Sequence, residues 1–254
     1  MDACIMFVPD REGFFMGSLF DFTHLAYIVL SLSISVALLW WAKKHLKEQR
    51  RKDAFLKTFG FLTFFLHISV LWVDFLNDGS AGVPDNVIFP IYFCNASMYL
   101  LMLASIWEQK QTKAFHALAV VTGYAGFFGA TISLFYPSYY LGASSIFEWG
   151  VLKSMLSHST MWIGAVWLLL GGYVRIERKN VLTYFGGLLC FGAVGVLVNL
   201  IFRWAGLHEP NAMYLQHPPL AEAPILSAYT ISFLMLLLIF GFVELVNRAR
   251  MKRM

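Results

Sequence analysis

One thiol and one imidazole stand out in a chain otherwise poor in reactive side chains. Cys94 lies in FPIYFCNASMYLL and His158 in SMLSHSTMW, each inside a long apolar run. A cysteine becomes a nucleophile when a base takes its proton, and nearby donors then hold the oxyanion its attack creates. At a rise of about 1.5 Å per residue, Cys94 lies roughly 9 Å and His158 roughly 10 Å below one membrane surface. His24 opens the first apolar run on that side, and Asp74 closes the second there. Asn211, Tyr214 and His217 belong to a loop that would cover the same end. Asn95, Asn211, Tyr214 or a backbone N–H could hold the oxyanion, with His24 a further substrate-binding candidate; the spacing does not choose among them.

Each residue also has a plainer reading. A cysteine in an apolar run can be a small buried hydrophobe, and His158 can bond the backbone or Ser154 one turn back. His24 and Asp74 sit near the interface, where solvated polar groups cost little. His67 precedes Asp74 by seven residues and shares its helical face, which suits a hydrogen-bond relay or two metal ligands. His45 and His116 stand apart and are not expected to function. Cys190, mid-run and without polar company, is expected to pack. The three cysteines, Cys4 included, are too scattered for a disulfide framework or a zinc site. No cofactor motif and no resident metal are read from the sequence.

These residues are positioned by apolar helices. Only 13% of the 254 residues are charged and 59% are hydrophobic, with 24 Phe and 8 Trp. Soluble domains carry about 25% charge, so a soluble enzyme, a disordered tail and a fibrous repeat are excluded. Seven stretches approach the roughly 20 residues a span needs: 22–42, 57–76, 88–107, 114–136, 151–173, 181–203 and 223–246. The fold expected is therefore an all-α, single-domain bundle of seven transmembrane helices over residues 1–254. The acidic N-terminus lacks the basic region of a cleaved signal, so the first span is expected to be retained.

Charge placement sets the expected orientation. Sixteen Lys and Arg fall on one side of this alternation and three on the other. The positive-inside rule puts the N-terminus outside and the C-terminus in the cytoplasm, as a multi-pass protein of the cytoplasmic membrane. The basic loops suit topology and anionic lipid; nucleic acid is not an expected partner. Gly123, Gly126, Gly129, Gly186, Gly187, Gly192 and Gly195 are read as close helix packing, with room for an acyl chain as the alternative.

The phrase FPIYFCNASMYLL resembles the span-3 signature of the YwaF-type integral membrane proteins, roughly P-L-H-L-C-(D/N). GYAGFFGATISLFYP resembles their fourth span, NAMYLQHPP their N-Y-M-F-L-x-x-P loop, and FTHLAYIVL the histidine that opens their first span. The resemblance runs from about residue 20 to 245. It departs at Tyr92, where the family has His, and at Ala212, where it has Tyr. The family's eukaryotic relative is a membrane acyltransferase acting on lyso ether phospholipids through a Cys in span 3 and a His in span 5. The resemblance thus points to Cys94 and His158 as that dyad.

Two functions follow as expectations. The first is acyl transfer between lipids through a Cys94 thioester, with His158 as base and a phospholipid rather than cytosolic acyl-CoA as donor, since the site faces the outer leaflet. A phospholipid or lysophospholipid is then the substrate. The alternative is a non-enzymatic transporter, receptor or structural membrane protein. A microbial-type retinal protein is excluded, because the seventh run has no lysine. A zinc lipid hydrolase using His24, His67, Asp74 and His158 lacks a His-x-x-x-His pair on a late span.

Overall fold

The computed structural model describes residues 17–72, 85–207, 210–220 and 223–252. Among them regular structure is helical, and seven helices dominate: α1 (Phe22–His45), α2 (Gln49–Ile68), α3 (Phe93–Ile106), α4 (Lys113–Phe135), α5 (Trp149–Leu170), α6 (Lys179–Trp204) and α7 (Ala228–Met251). A helical turn at Asp85–Ile88 precedes α3, and a 3-10 turn at Ala212–Tyr214 lies between α6 and α7. Asp21, Thr112 and Ser227 cap α1, α4 and α7 through their side chains.

Five helices are long and apolar enough to cross a membrane: α1, α2 taken on to Trp72, α4, α6 and α7. The other two fall short of the expected seven for different reasons. α3 has only 14 residues, a length of about 21 Å against a hydrocarbon core of about 30 Å. The expected run 88–107 is cut by Pro90, which lacks an N–H and disfavours helix at the residue before it. α5 has 22 residues but carries Ser157, His158, Ser159 and Thr160 in succession, all buried. A helix surrounded by other helices need not be apolar toward lipid.

α2, α3, α4 and α5 form the inner bundle, with α1, α6 and α7 around it. Trp167, Tyr124, Phe115 and Leu101 fill its centre at almost no exposure. Close approach depends on glycine at two contacts. A Cβ on Gly126 would lie 2.7 Å from the Ala165 Cβ, and one on Gly164 would lie 2.8 Å from Leu101 Cδ2. Hydroxyls knit α5 to its neighbours: Thr63 to Thr160 at 2.9 Å and Ser31 to Ser159 at 2.8 Å. The glycines of α6 divide. Gly187 abuts Val121, while Gly186 and Gly192 meet nothing within 4 Å among the described residues, so only some serve packing. The outward faces of α1, α6 and α7 present large apolar side chains such as Val29, Leu30, Leu189 and Phe233. An apolar surface of that extent fits lipid.

Candidate functional site

The break at Pro90 decides where the thiol sits. Tyr92 is extended (φ −105°, ψ 155°) and α3 begins at Phe93, so Cys94 is the second residue of the helix rather than six residues inside a span. The first N–H groups of a helix have no intrahelical partner and attract negative charge. Cys94 and Asn95 supply backbone N–H groups of this first turn, beside the sulfur in sequence. Asn95 is buried, and its Oδ1 accepts the Tyr92 N–H at 3.1 Å, closing the first turn. The residue thus shapes the thiol's helix end through its side chain.

His158 is 6% exposed on α5. Its Nδ1 lies 2.7 Å from the Ser154 carbonyl oxygen. A carbonyl only accepts, so Nδ1 carries the proton and Nε2 keeps its lone pair. That Nε2 is buried and has no hydrogen-bond partner among the described residues. Buried polar atoms are almost always paired, and an acceptor left open here suits a base that waits for a proton. The Tyr139 ring stacks on the imidazole, with centroids 5.5 Å apart and an interplanar angle of 15°.

Helix register brings thiol and base to one level. α3 and α5 both run antiparallel to α4 and so parallel to each other; they touch where Leu101 meets Gly164. Cys94 lies seven residues before Leu101 and His158 six before Gly164, heights of roughly 10 and 9 Å above that contact. Lys153 is within electrostatic reach of both groups, and Tyr139 of Cys94.

The 211–217 loop covers this end. The Met213 N–H donates to the Ile91 carbonyl at 2.7 Å, one residue before the cap of α3. The Ala212 N–H donates to the Asn199 Oδ1 at 2.9 Å, and Gly195 leaves room for Met213 and Leu215. Asn211, Met213 and Tyr214 all have φ of 50–55°, a conformation costing non-glycine residues about 1–3 kcal/mol each. Asn211 does not offer its amide to a substrate: Oδ1 accepts from the Gln216 and His217 N–H groups at 3.0 and 3.1 Å, and Nδ2 donates to the His217 carbonyl at 3.0 Å. Tyr214 packs 5.5 Å from Tyr92 and within electrostatic reach of Cys94; burial, chiefly, pushes its hydroxyl above the usual phenol range. It therefore stays a donor. His217 is exposed.

His24 is buried with both ring nitrogens engaged: Nδ1 accepts the Phe20 N–H at 3.0 Å and Nε2 donates to the Leu134 carbonyl at 2.9 Å. It pins α1 to the end of α4. Beside it the Tyr140 hydroxyl donates to both Asp21 carboxylate oxygens, at 2.9 and 2.8 Å. The pair holds the 136–148 loop, and with it Tyr139. Neither tyrosine is singled out by sequence spacing; the signal available was their position in PSYYLG, directly after α4.

His67 meets Tyr99 edge-on at 5.6 Å, and Asp74, its proposed relay partner, lies outside the described residues, as does Cys4. Among the described residues no three His, Cys, Asp or Glu side chains are grouped as metal ligands. Cys190 is exposed on the outer face of α6, not packed as expected, because α6 is peripheral.

A sequence profile for the TMEM164 family matches residues 19–247. No curated protein and no solved structure matches the chain.

Proposed function

We propose that this chain, which belongs to the TMEM164 family, is a multi-pass membrane protein that moves fatty acyl chains between lipids through Cys94. The observation that carries this reading is the buried, unpartnered Nε2 of His158, its tautomer fixed by Ser154, at the level of a thiol on a helix N-terminus. The quoted likeness of FPIYFCNASMYLL to YwaF-type proteins supports the same pair.

In the proposed cycle, Nε2 of His158 takes the Cys94 proton and the thiolate sulfur attacks the ester carbonyl carbon of a phospholipid. A C–S bond forms, and the carbonyl oxygen becomes an oxyanion facing the N–H groups of Cys94 and Asn95 and the Tyr214 hydroxyl. Collapse breaks the ester C–O bond; the departing alkoxide takes the proton from His158, and a lysophospholipid leaves. The hydroxyl of an acceptor lysolipid then gives its proton to Nε2 and attacks the thioester. The new C–O bond forms, the C–S bond breaks, and the sulfur recovers the proton. Every proton passes through one nitrogen. No cofactor is required.

In the same reading seven helices cross the cytoplasmic membrane, α3 and α5 among them. The N-terminus lies outside, as the sixteen-to-three bias of basic residues supports. The donor is a lipid of the leaflet that the Cys94 end of α3 faces. The test is the intact mass of purified protein given phospholipid, before and after hydroxylamine. A hydroxylamine-labile acyl mass on wild type, absent from Cys94→Ser, is expected. The same labile mass on Cys94→Ser would rule the thioester out.

A further inference from the structure

The opposite end of α3 opens on a pocket that acyl transfer does not use. It has a volume of about 340 Å³ and is lined by Lys110, Thr112, Lys113, His116, Tyr173 and Lys179. Three ammonium groups converge there from the α3–α4 loop and from the first residues of α4 and α6. Neither helix has an acidic residue in its first turn, so the positive ends of two helix dipoles share the same space.

The neighbouring carboxylates are already engaged. Asp53 accepts the Tyr173 hydroxyl at 2.6 Å. Glu177 is shared between Arg175 at 3.0 Å and Lys179 at 2.7 Å, leaving the cluster with surplus positive charge. Lys110 is held in place by the Trp107 and Ser105 carbonyls, at 2.5 and 3.3 Å. Lys113 and Lys179 are exposed; Lys113 can swing over a ligand, and Lys179 can turn to one from its contact with Glu177.

We infer that this pocket binds a phosphate group, held by Lys110, Lys113 and Lys179 at the end of the bundle opposite Cys94. Lysine binds phosphate as a compact point charge. The distance from Cys94, about 20 Å along α3, sets it apart from the thiol. An anionic phospholipid headgroup and a soluble phosphate share this chemistry, and the inference stands or falls without the acyl-transfer reading.

The test uses the full chain in phosphatidylcholine nanodiscs, with the thermal midpoint as readout. One arm adds inorganic phosphate and the other replaces part of the lipid with phosphatidylglycerol. A saturable rise is expected in at least one arm. A rise in the phosphatidylglycerol arm alone identifies a headgroup, and one with inorganic phosphate alone a soluble ligand. Lys113→Gln with Lys179→Gln should weaken half-saturation by roughly 25-fold, from about fivefold for each lysine near a membrane surface. If that pair fails to fold, Lys179→Gln alone carries the comparison at about fivefold. Lys44→Gln with Lys47→Gln removes equal charge elsewhere and should leave the rise unchanged. No rise in either arm, or an equal loss in the Lys44 and Lys47 control, would overturn the site.

Discussion

The Tyr139 ring lies nearly parallel to the His158 imidazole, 5.5 Å away and tilted by 15°. The tyrosine is anchored in turn, its hydroxyl donating to the Ser133 carbonyl at 3.2 Å. The stack and the Ser154 bond together fix the plane of the imidazole and the direction of Nε2. Misplacing a reacting group by about 1 Å can cost about 100-fold in rate. Tyr139→Ala should lower acyl exchange by about that factor, whereas Tyr139→Phe keeps the stack and should retain most of the rate. Equal losses in the two variants would show that the hydroxyl, not the ring, is what matters.

Cys94 and His158 are expected to act as one unit. Cys94→Ser and His158→Ala should each lower exchange of a labelled acyl chain in proteoliposomes by orders of magnitude. The double variant should be scarcely worse than either, because groups that share one step are not additive. Cys190→Ser, altering an exposed side chain on α6, is the silent control. A double variant with the product of the two single losses would show that the residues act independently.

Much of this architecture is legible in composition and spacing. Apolar runs locate the seven main helices, five of them long and apolar enough to span, and the polar residues within them mark His24, Cys94 and His158. What composition cannot show is how Pro90 divides its run. Counting Cys94 from the start of an apolar stretch puts it deep in a helix, while the broken backbone puts it among unsatisfied N–H groups. Asn211 and His24 have the right chemistry for a site, yet their polar atoms are taken by bonds to residues in their own loop and to Leu134. Such pairing depends on tertiary contacts. Asn199, which holds the covering loop through the Ala212 N–H, lies in an apolar helix with no local signal of its partner.

Asp21 should make stability depend on pH. Burial raises its pKa, but the His24 N–H, the Tyr140 hydroxyl and the Ser18 and Gly17 N–H groups outweigh that and hold it below the ordinary carboxylate value of 3.8. A depressed folded-state pKa contributes stability above the unfolded value, and that stability is lost as pH falls from about 3.8 through the lower folded pKa. The midpoint of wild type should therefore fall more steeply than that of Asp21→Ala on acidification below pH 4. At neutral pH the variant should lose about 0.5–2 kcal/mol, the usual cost of an N-cap. Parallel pH profiles would remove Asp21 from the account.

Orientation is tested with a single cysteine added after residue 254 in a chain whose three native cysteines are replaced. An impermeant maleimide should leave it unlabelled in intact cells and label it after lysis. Labelling in intact cells would invert the arrangement and put the Cys94 end on the cytoplasmic side, where acyl-CoA becomes an available donor.

The glycines make the last prediction, because two that look alike in sequence have opposite surroundings. A Cβ at Gly126 would meet the Ala165 Cβ at 2.7 Å, whereas one at Gly186 meets nothing within 4 Å among the described residues. Gly126→Val should force α4 and α5 apart and cost about 1–3 kcal/mol. The displacement would also shift His158, two turns before Ala165 on the same stripe, so exchange activity should fall with stability. Gly186→Ala meets no obstacle and replaces a poor helix former, a change worth up to about 1 kcal/mol in favour of the helix. Its midpoint should hold or rise. A fall for Gly186→Ala as large as that for Gly126→Val would mean that α6 packs against something on that face.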